Sequence, residues 1–532
     1  MARQVTAVAA GAVNASNKKR RPARPEDWMP VSNAMSDNAH DDPKPQEPGR
    51  HGLQELIAER REKAARLRRD DASAFPYTFP NVEPIADVLS AYEHLTAGEE
   101  TEDRHRVAGR LAARRESGGS AFLDLVDRSG KIQLHARRDV LGEDTFARLT
   151  AVDVGDILGV DGAALRSRRG EISLRVDAFA VLGKALRPPP DRHAGLTDVQ
   201  TRYRRRELDL IASDDARRLF VDRARIIAAV RRYLDDAGFV EVETPVLQPL
   251  YGGALARPFT THHNELDRTL YLRIATELYL KRLLVGGLER VYELGKDFRN
   301  EGVSSKHNPE FTMVEFYEAY ADYADVATRL EALVRAAAAA ISYEGGLDFE
   351  RPWARVGFVE AIERATGIDL AATREQDALA RAVSQRGLEI ATESASWAQI
   401  ADGLLAKYVE PTLQQPTLVL DYPVELSPFA REHRSLPGFV ERFEAFAGGF
   451  EIANAFSELN DADVQRERFE AQRAAAAEGD VEAQPYDEQF LAALEQGMPP
   501  AGGVGVGIDR LVMLLTGRDS IREVVLFPAM RD

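Results

Sequence analysis

Cysteine is absent from all 532 residues. That excludes disulfides, thiolate zinc sites and cysteine nucleophiles together, and it fits a reducing, cytoplasmic setting. No apolar run approaches the roughly 18 residues of a transmembrane helix, so no membrane span is expected. Histidine is scarce, and its ten copies show no metal-ligand spacing; His262-His263 is an adjacent pair, not a helical i, i+4 pair. An excess of positive charge is missing too. The formal net charge of −17 argues against indiscriminate nucleic-acid binding. Contact with RNA depends on local patches, however, and two exist. Arg60, Arg61, Lys63, Arg66, Arg68 and Arg69 crowd one stretch, and Arg202, Arg204, Arg205 and Arg206 another. Either run taken alone reads as a solvated helix face. No internal repeat is visible.

What is present is a globular composition, 44% hydrophobic and 29% charged, with length for roughly two to four domains. Residues 1–50 are rich in Pro, Asn and Asp without apolar period and read as a disordered tail. Residues 51–103 open with a basic helix that ends near Pro76 and Pro80. Over 104–187 the pattern is of short strands: Val107–Leu111, Ala121–Leu125, Lys131–His135, Asp156–Val160 and Glu171–Val176, with a helix near 143–150. Five strands with a helix between the third and fourth is the plan of an OB-fold β-barrel, a frequent oligonucleotide binder. Pro188-Pro189-Pro190 begins a linker over 188–215. From 216 to 532 helices and strands alternate. Leu219, Phe220, Ile226, Ile227, Val230, Tyr233 and Leu234 share one helical face that Gly238 is placed to end, and 325–341 is an alanine-rich helix. Residues 350–440 read as a helical insertion with little visible chemistry.

Three segments of this half carry chemistry. Gly238 through Pro245 is a helix end followed by an alternating strand, as compatible with ordinary core as with function. Val291–Leu294 reads as a strand leading to Phe298-Arg299-Asn300-Glu301-Gly302, and a polar loop then leads to His307 through Thr312. An arginine on such a strand suits the α-phosphate of ATP, where charge grows as a carboxylate attacks. Glu301 suits the adenine amino group, Phe311 the face of the ring and His307 the outer phosphates. The third segment, Gly502 through Leu511, combines glycines that permit close backbone approach with Arg510 at the start of an apolar helix. Upstream, Glu444 and Glu451 flank Gly448-Gly449 as a carboxylate pair suited to Mg²⁺ on phosphates; an isolated pair of this kind is more often exposed surface charge.

Together, in this order, the segments resemble the three motifs of class II aminoacyl-tRNA synthetases, and most closely the lysyl-tRNA synthetases of that class. The resemblance spans about residues 52–531 and includes Leu196 through Arg206, Gly252 through Phe259, Glu451 through Asn460 and Phe527-Pro528. It implies an α+β protein: an OB-fold anticodon-binding barrel joined to a catalytic domain built on an antiparallel sheet flanked by helices. It implies ATP contacts from Arg299, Glu301, His307, Asn308, Phe311, Glu444 and Arg510, with Arg299 and Arg510 catalytic. Glu444 and Glu451 are implied as Mg²⁺ ligands, with several ions accompanying ATP. Gly253, Glu277, Glu315, Tyr317, Asn454, Phe456 and Glu458 are implied around L-lysine, and Arg110, Phe122, Gln133 and Glu171 at the anticodon of a lysine tRNA, Phe122 stacking on an unstacked base. A homodimer is implied as well, the first motif of the family lying at the subunit interface.

Glu277 and Glu458 bear on the choice of amino acid. Two buried carboxylates require a cation, and a substrate ammonium serves. An aspartyl or asparaginyl enzyme shares the architecture but wants cations at those two positions. A protein-modifying relative is expected to lack the barrel, and a non-catalytic one to have lost ATP or metal residues. Two departures from the family pattern stand out: Glu207, where an aromatic residue is usual, and Lys306, where arginine is frequent. Lys306 keeps the charge but loses a bidentate grip.

Overall fold

The structure, a computed structural model, describes residues 50–71, 74–190, 195–254, 256–393, 395–477 and 484–531. The expected tail lies outside them, save Arg50. The chain divides into two units, one containing residues up to 197 with 207–213, the other 198–206 with 214–531.

In the first unit, five strands close a barrel in the order β1-β2-β3-β5-β4: β1 (Glu100–Ser117), β2 (Ser120–Val126), β3 (Lys131–Arg137), β4 (Ile157–Arg166) and β5 (Ile172–Gly183). The helix Glu143–Thr150 lies between the third and fourth, as expected. The first strand is far longer than its apolar core, Val107–Leu111, suggests. Glu100–Arg110 pairs with β4 and Arg110–Ser117 with β2, across an irregularity between Leu111 and Ala113, so one strand serves both edges. Its charged residues on the solvent side hide this length from a pattern of hydrophobicity. Leu111, Leu123, Leu134, Leu158, Val160 and Leu174 fill the interior. The helix Arg50–Asp70 is fixed to this unit by Arg60, which donates to the carbonyls of Ala185 and Val154, and by Lys63 on Asp153 at 2.8 Å.

The second unit holds β6 (Val240–Glu241), a three-stranded sheet of β7 (Leu247–Gln248), β8 (Thr260–His263) and β9 (Arg268–Leu272), then β10 (Arg290–Phe298), β11 (Glu310–Ala319), β12 (Ala354–Gly357), β13 (Thr417–Pro423), β14 (Phe439–Ala447), β15 (Phe450–Ser457) and β16 (Ala501–Gly507). Eight of these form one sheet in the order β12-β13-β14-β15-β16-β11-β10-β6. Its centre is antiparallel, while the terminal pairs β12–β13 and β6–β10 run parallel. On one face Tyr292, Phe316, Val504, Ala455 and Phe443 meet the helices Asp214–Asp236 and Tyr323–Ala340 in a continuous core. The alternation of strand residues therefore sends the intervening side chains to the opposite face, where the candidate site lies.

The segment 350–440 departs from the expected helical insertion. Helices occupy Phe358–Thr366, Gln376–Gln385 and Trp397–Leu404, but Ala354–Gly357 and Thr417–Pro423 are strands of the main sheet. β13 is buried through Thr417, Leu418 and Val419, a short apolar run whose periodicity does not separate strand from helix. Among the described residues no helix is long and apolar enough to cross a membrane.

Candidate active site

Register assembles the site. Across the open face of the sheet, Glu293 stands opposite Glu315, Glu315 opposite Gly505, Gly505 opposite Asn454, and Asn454 opposite Glu444. The next row is Val291, Tyr317, Gly503, Phe456 and Arg442. Residues as far apart in the chain as Glu293 and Gly505 thus share two rows of one surface. The glycines of β16 leave a trough between side chains of its neighbours. A Cβ at Gly503 would collide with Glu458 Oε1 and the Tyr317 ring, so only glycine admits both.

At one end of the trough a cleft of about 600 Å³, solvent in its mouth included, is lined by Arg299, Glu301, His307, Asn308, Phe311, Glu451, Gly505, Gly507 and Arg510. Arg299 follows the last residue of β10 directly, just past the strand on which it was expected, and is 3% exposed with its guanidinium 5.1 Å from the Phe311 ring centroid. Burial lowers its pKa, and Asp297, Glu301, Glu451 and Glu315 offset that. Arg510 donates to the Glu451 carbonyl at 3.0 Å, lies 3.2 Å from Glu451 Oε2 and approaches His307 Nε2 at 3.1 Å. Asn308 is held by the Glu310 carbonyl and by the Ala529 amide, which donates to Asn308 Oδ1 at 3.1 Å. Lys306 also lines this cleft, its ammonium 5.5 Å from the Phe450 ring centroid.

Glu444 does not line the cleft. It is fully buried, accepting from the Tyr422 hydroxyl at 2.9 Å and from Arg442 at 2.6 Å. Arg442 also donates to Asn454 Oδ1 at 3.2 Å and to the Leu426 carbonyl at 2.7 Å. One arginine therefore sets the positions of two candidate residues on adjacent strands. No cluster of three or more metal-ligating side chains occurs among the described residues. A magnesium ion bound mainly by phosphate does not require one.

At the other end, Glu277, Glu315, Tyr317 and Glu458 lie buried together with Gly253. Glu315 accepts from the Tyr317 hydroxyl at 3.1 Å and from the Thr276 amide at 3.3 Å. Besides the substrate ammonium expected to serve Glu277 and Glu458, the chain supplies a cation of its own. Lys281, one turn along the helix Glu277–Val285, places its ammonium 2.7 Å from Glu277 Oε1 and 2.5 Å from Glu458 Oε2. Burial still pushes Glu277 up to about 7 and Glu458 well above its usual range, with Lys281 opposing and Glu315 reinforcing the rise. Three carboxylates against one ammonium leave two negative charges unmatched when all are ionised.

Sequence reasoning missed the supports of this site: Lys281, Arg442, Gln484 and the pair Arg273–Asp297. Gln484 accepts from the Gly253 amide at 3.1 Å and donates to the Ala254 carbonyl. Arg273 lies 3.2 Å from Asp297 and also pairs with Glu293. Burial pushes the Asp297 carboxyl up to about 7; Glu315 and Glu293 add to the rise, and Arg273 and Arg299 oppose it. The i, i+4 spacing of Glu277 and Lys281 was the one legible signal among them.

In the barrel, Phe122 opposes His135 and the rings stack at 4.7 Å and 8°. Gln133 opposes Asp124 on the same face and donates to Glu171 Oε2 at 2.8 Å. Arg110 donates to the Gly155 carbonyl at 2.8 Å. Phe122 is half-buried and stands outside the barrel core.

Residues 198–531 match the family described as tRNA synthetases class II (D, K and N), and 105–182 match the OB-fold nucleic acid binding domain. The chain belongs to the class II tRNA synthetases. Curated relatives of this synthetase carry the name lysine–tRNA ligase. The protein of Carboxydothermus hydrogenoformans is 47% identical over 90% of this chain and 98% of its own length. Those of Gloeobacter violaceus and Chloroflexus aurantiacus are 49% and 50% identical over 90% of this chain, and over 98% and 99% of their own lengths.

Proposed function

We propose that this synthetase is a lysine–tRNA ligase, activating lysine with ATP and transferring it to the terminal adenosine of a lysine tRNA. The observation that carries the substrate choice is the carboxylate excess of the buried pocket. Glu277, Glu315 and Glu458 outnumber Lys281 by two negative charges once ionised, and lysine is the amino acid with two ammonium groups of its own to ionise and match them. An aspartate or asparagine side chain would leave buried carboxylates unpaired, at a cost of several kcal/mol.

In the first step an oxygen of the lysine carboxylate attacks the α-phosphorus of ATP; the new P–O bond forms as the bond to the β-phosphate bridge breaks, and pyrophosphate leaves. The nucleophile is already ionised, so no general base is required. Arg299 and Arg510, fixed by their neighbours before substrate arrives, stabilise the growing charge. Phe311 offers a ring face to adenine and Glu301 an acceptor to its amino group. In the second step a ribose hydroxyl of the tRNA attacks the activated carbonyl and AMP leaves.

Glu451 lines the nucleotide cleft and fits a magnesium ion held chiefly by phosphates; the ion would supply charge neutralisation there. Glu444 joins it only by loosening from Arg442 or Tyr422. Arg110, Phe122 and Glu171, with the buried Gln133 held on Glu171 behind them, are the proposed anticodon residues, supported by the partly exposed Phe122 ring. A homodimer is supported by exposed apolar residues about the short edge strand β6, namely Val240, Leu288 and Tyr320. A cytoplasmic location accords with the lack of cysteine. ATP–pyrophosphate exchange measured with each of the twenty amino acids tests the proposal. Stimulation by lysine is expected; stimulation by aspartate or asparagine in its place overturns it.

A further inference from the structure

Lys281 is 0% exposed, an unusual state for a lysine. Besides its two carboxylates it has the Phe429 carbonyl at 3.5 Å and the Phe429 and Phe456 rings at 5.2 and 5.3 Å. A purely structural ion pair at such depth is held by using every lone pair. Here that is not so. Glu277 Oε2 and both oxygens of Glu458 are buried without a hydrogen-bond partner among the described residues, Glu458 Oε2 meeting the ammonium as an ion pair at 2.5 Å. Both unused oxygens are turned to glycines of the trough: a Cβ at Gly253 would lie 3.7 Å from the first, and one at Gly503 would strike the second. Lys281 thus takes one oxygen from each carboxylate and leaves the other toward the space that Gly253 and Gly503 keep open.

We propose that Lys281 is a positioning residue of the amino-acid pocket: a resident counter-cation that opposes protonation of Glu277 and Glu458, aims their free oxygens at the substrate and sets the charge that a dicationic amino acid meets. The proposal rests on the lysine reading above. The groups that face the ammonium are Glu277 on its own helix, Glu458 beyond β15, the Phe429 carbonyl and the Phe429 and Phe456 rings, while Glu315 and Tyr317 on β11 act on the two carboxylates. Burial works to lower the pKa of Lys281; Glu277 and Glu458 overcome it, so the ammonium stays charged. Without it, burial and mutual repulsion act unopposed, the pocket retains a further proton, and lysine then has to displace that proton on binding.

The test is Lys281→Met, close in length and uncharged, assayed by lysine-dependent pyrophosphate exchange from pH 6.5 to 8.5. The KM for lysine should rise, and it should fall with increasing pH about tenfold per unit more steeply than in the unaltered enzyme, the linkage of one extra proton. A folded variant with the unaltered enzyme's pH slope overturns the proposal and leaves Lys281 a packing group. Should Lys281→Met fail to fold, Lys281→Met/Glu277→Gln removes one charge of each sign. Recovery of folding in the double variant supports charge compensation, and its failure to fold overturns it. An unaltered enzyme that ignores lysine overturns the substrate reading instead, before any variant is examined.

Discussion

In the proposed mechanism Arg299 is the residue on which the nucleotide chemistry turns. Its guanidinium is buried, and Phe311 and four carboxylates surround it. Because its partner charge develops mainly in the transition state, Arg299→Ala should lower the exchange rate by about 10²–10³, the usual cost of losing one preorganised donor, and change the KM for lysine little. Equal loss in both parameters would show that the side chain serves ground-state binding. Glu451 behaves differently if it holds magnesium on the nucleotide: Glu451→Gln should raise the Mg²⁺ concentration required for half-maximal exchange, and an unchanged requirement rejects that role. Asp297 carries a pH signature of its own. Its folded pKa is raised from 3.8 to about 7, so the folded state retains a proton that unfolding releases. The stability this contributes is fully present below about 3.8 and is lost as pH rises through about 7. Urea midpoints of the unaltered protein should therefore fall relative to those of Asp297→Asn between these values. Parallel curves would mean that Arg273 and Arg299 keep Asp297 ionised throughout.

Among the elements, β16 does most with least side chain. Gly503 lets Glu458 and Tyr317 close over the same position, so Gly503→Ala should raise the KM for lysine while leaving the KM for ATP near its original value, since the nucleotide cleft is lined by Gly505 and Gly507. Equal effects on both would point to a displaced strand. What was legible in the sequence follows from the same contrast between elements. The helix Asp214–Asp236 was readable because its apolar face repeats and Gly238, at φ 81°, closes it. The chemistry-bearing segments were readable because Arg299, Glu301 and His307 lie within ten residues of one another. β13 was not, because its apolar run suits either periodicity, and the length of β1 was not, because its outer residues are charged. The two rows of the open face were invisible for another reason: they arise from register between strands as distant as β10 and β14. Arg442 and Lys281 act within that register. Their sequence neighbourhoods name the residues but not the partners.

For the molecule as a whole, the two units have separate cores, the barrel interior in one and the sheet-and-helix layers in the other, and the proposed function divides tRNA recognition and amino-acid activation between them. Activation of lysine requires no tRNA, so a defect confined to the barrel surface should appear only in the second half-reaction. Phe122 is the place to test this. The ring is not part of the barrel interior; it is half-buried and lies flat against His135, whose own pKa burial lowers, keeping the imidazole neutral. One face of Phe122 is therefore backed by a neutral ring, and the proposed anticodon role places a base on the other. Removing one base–aromatic stack typically costs about 1–3 kcal/mol, or roughly 5- to 150-fold. Phe122→Ala should raise the KM for tRNA within that range and leave lysine-dependent pyrophosphate exchange near the unaltered rate. Because the ring lies outside the core, the melting temperature should change by no more than a few degrees. A larger drop with both activities reduced would make Phe122 a structural support of the barrel, and a parallel fall of exchange at unchanged melting temperature would mean that the barrel surface is coupled to activation.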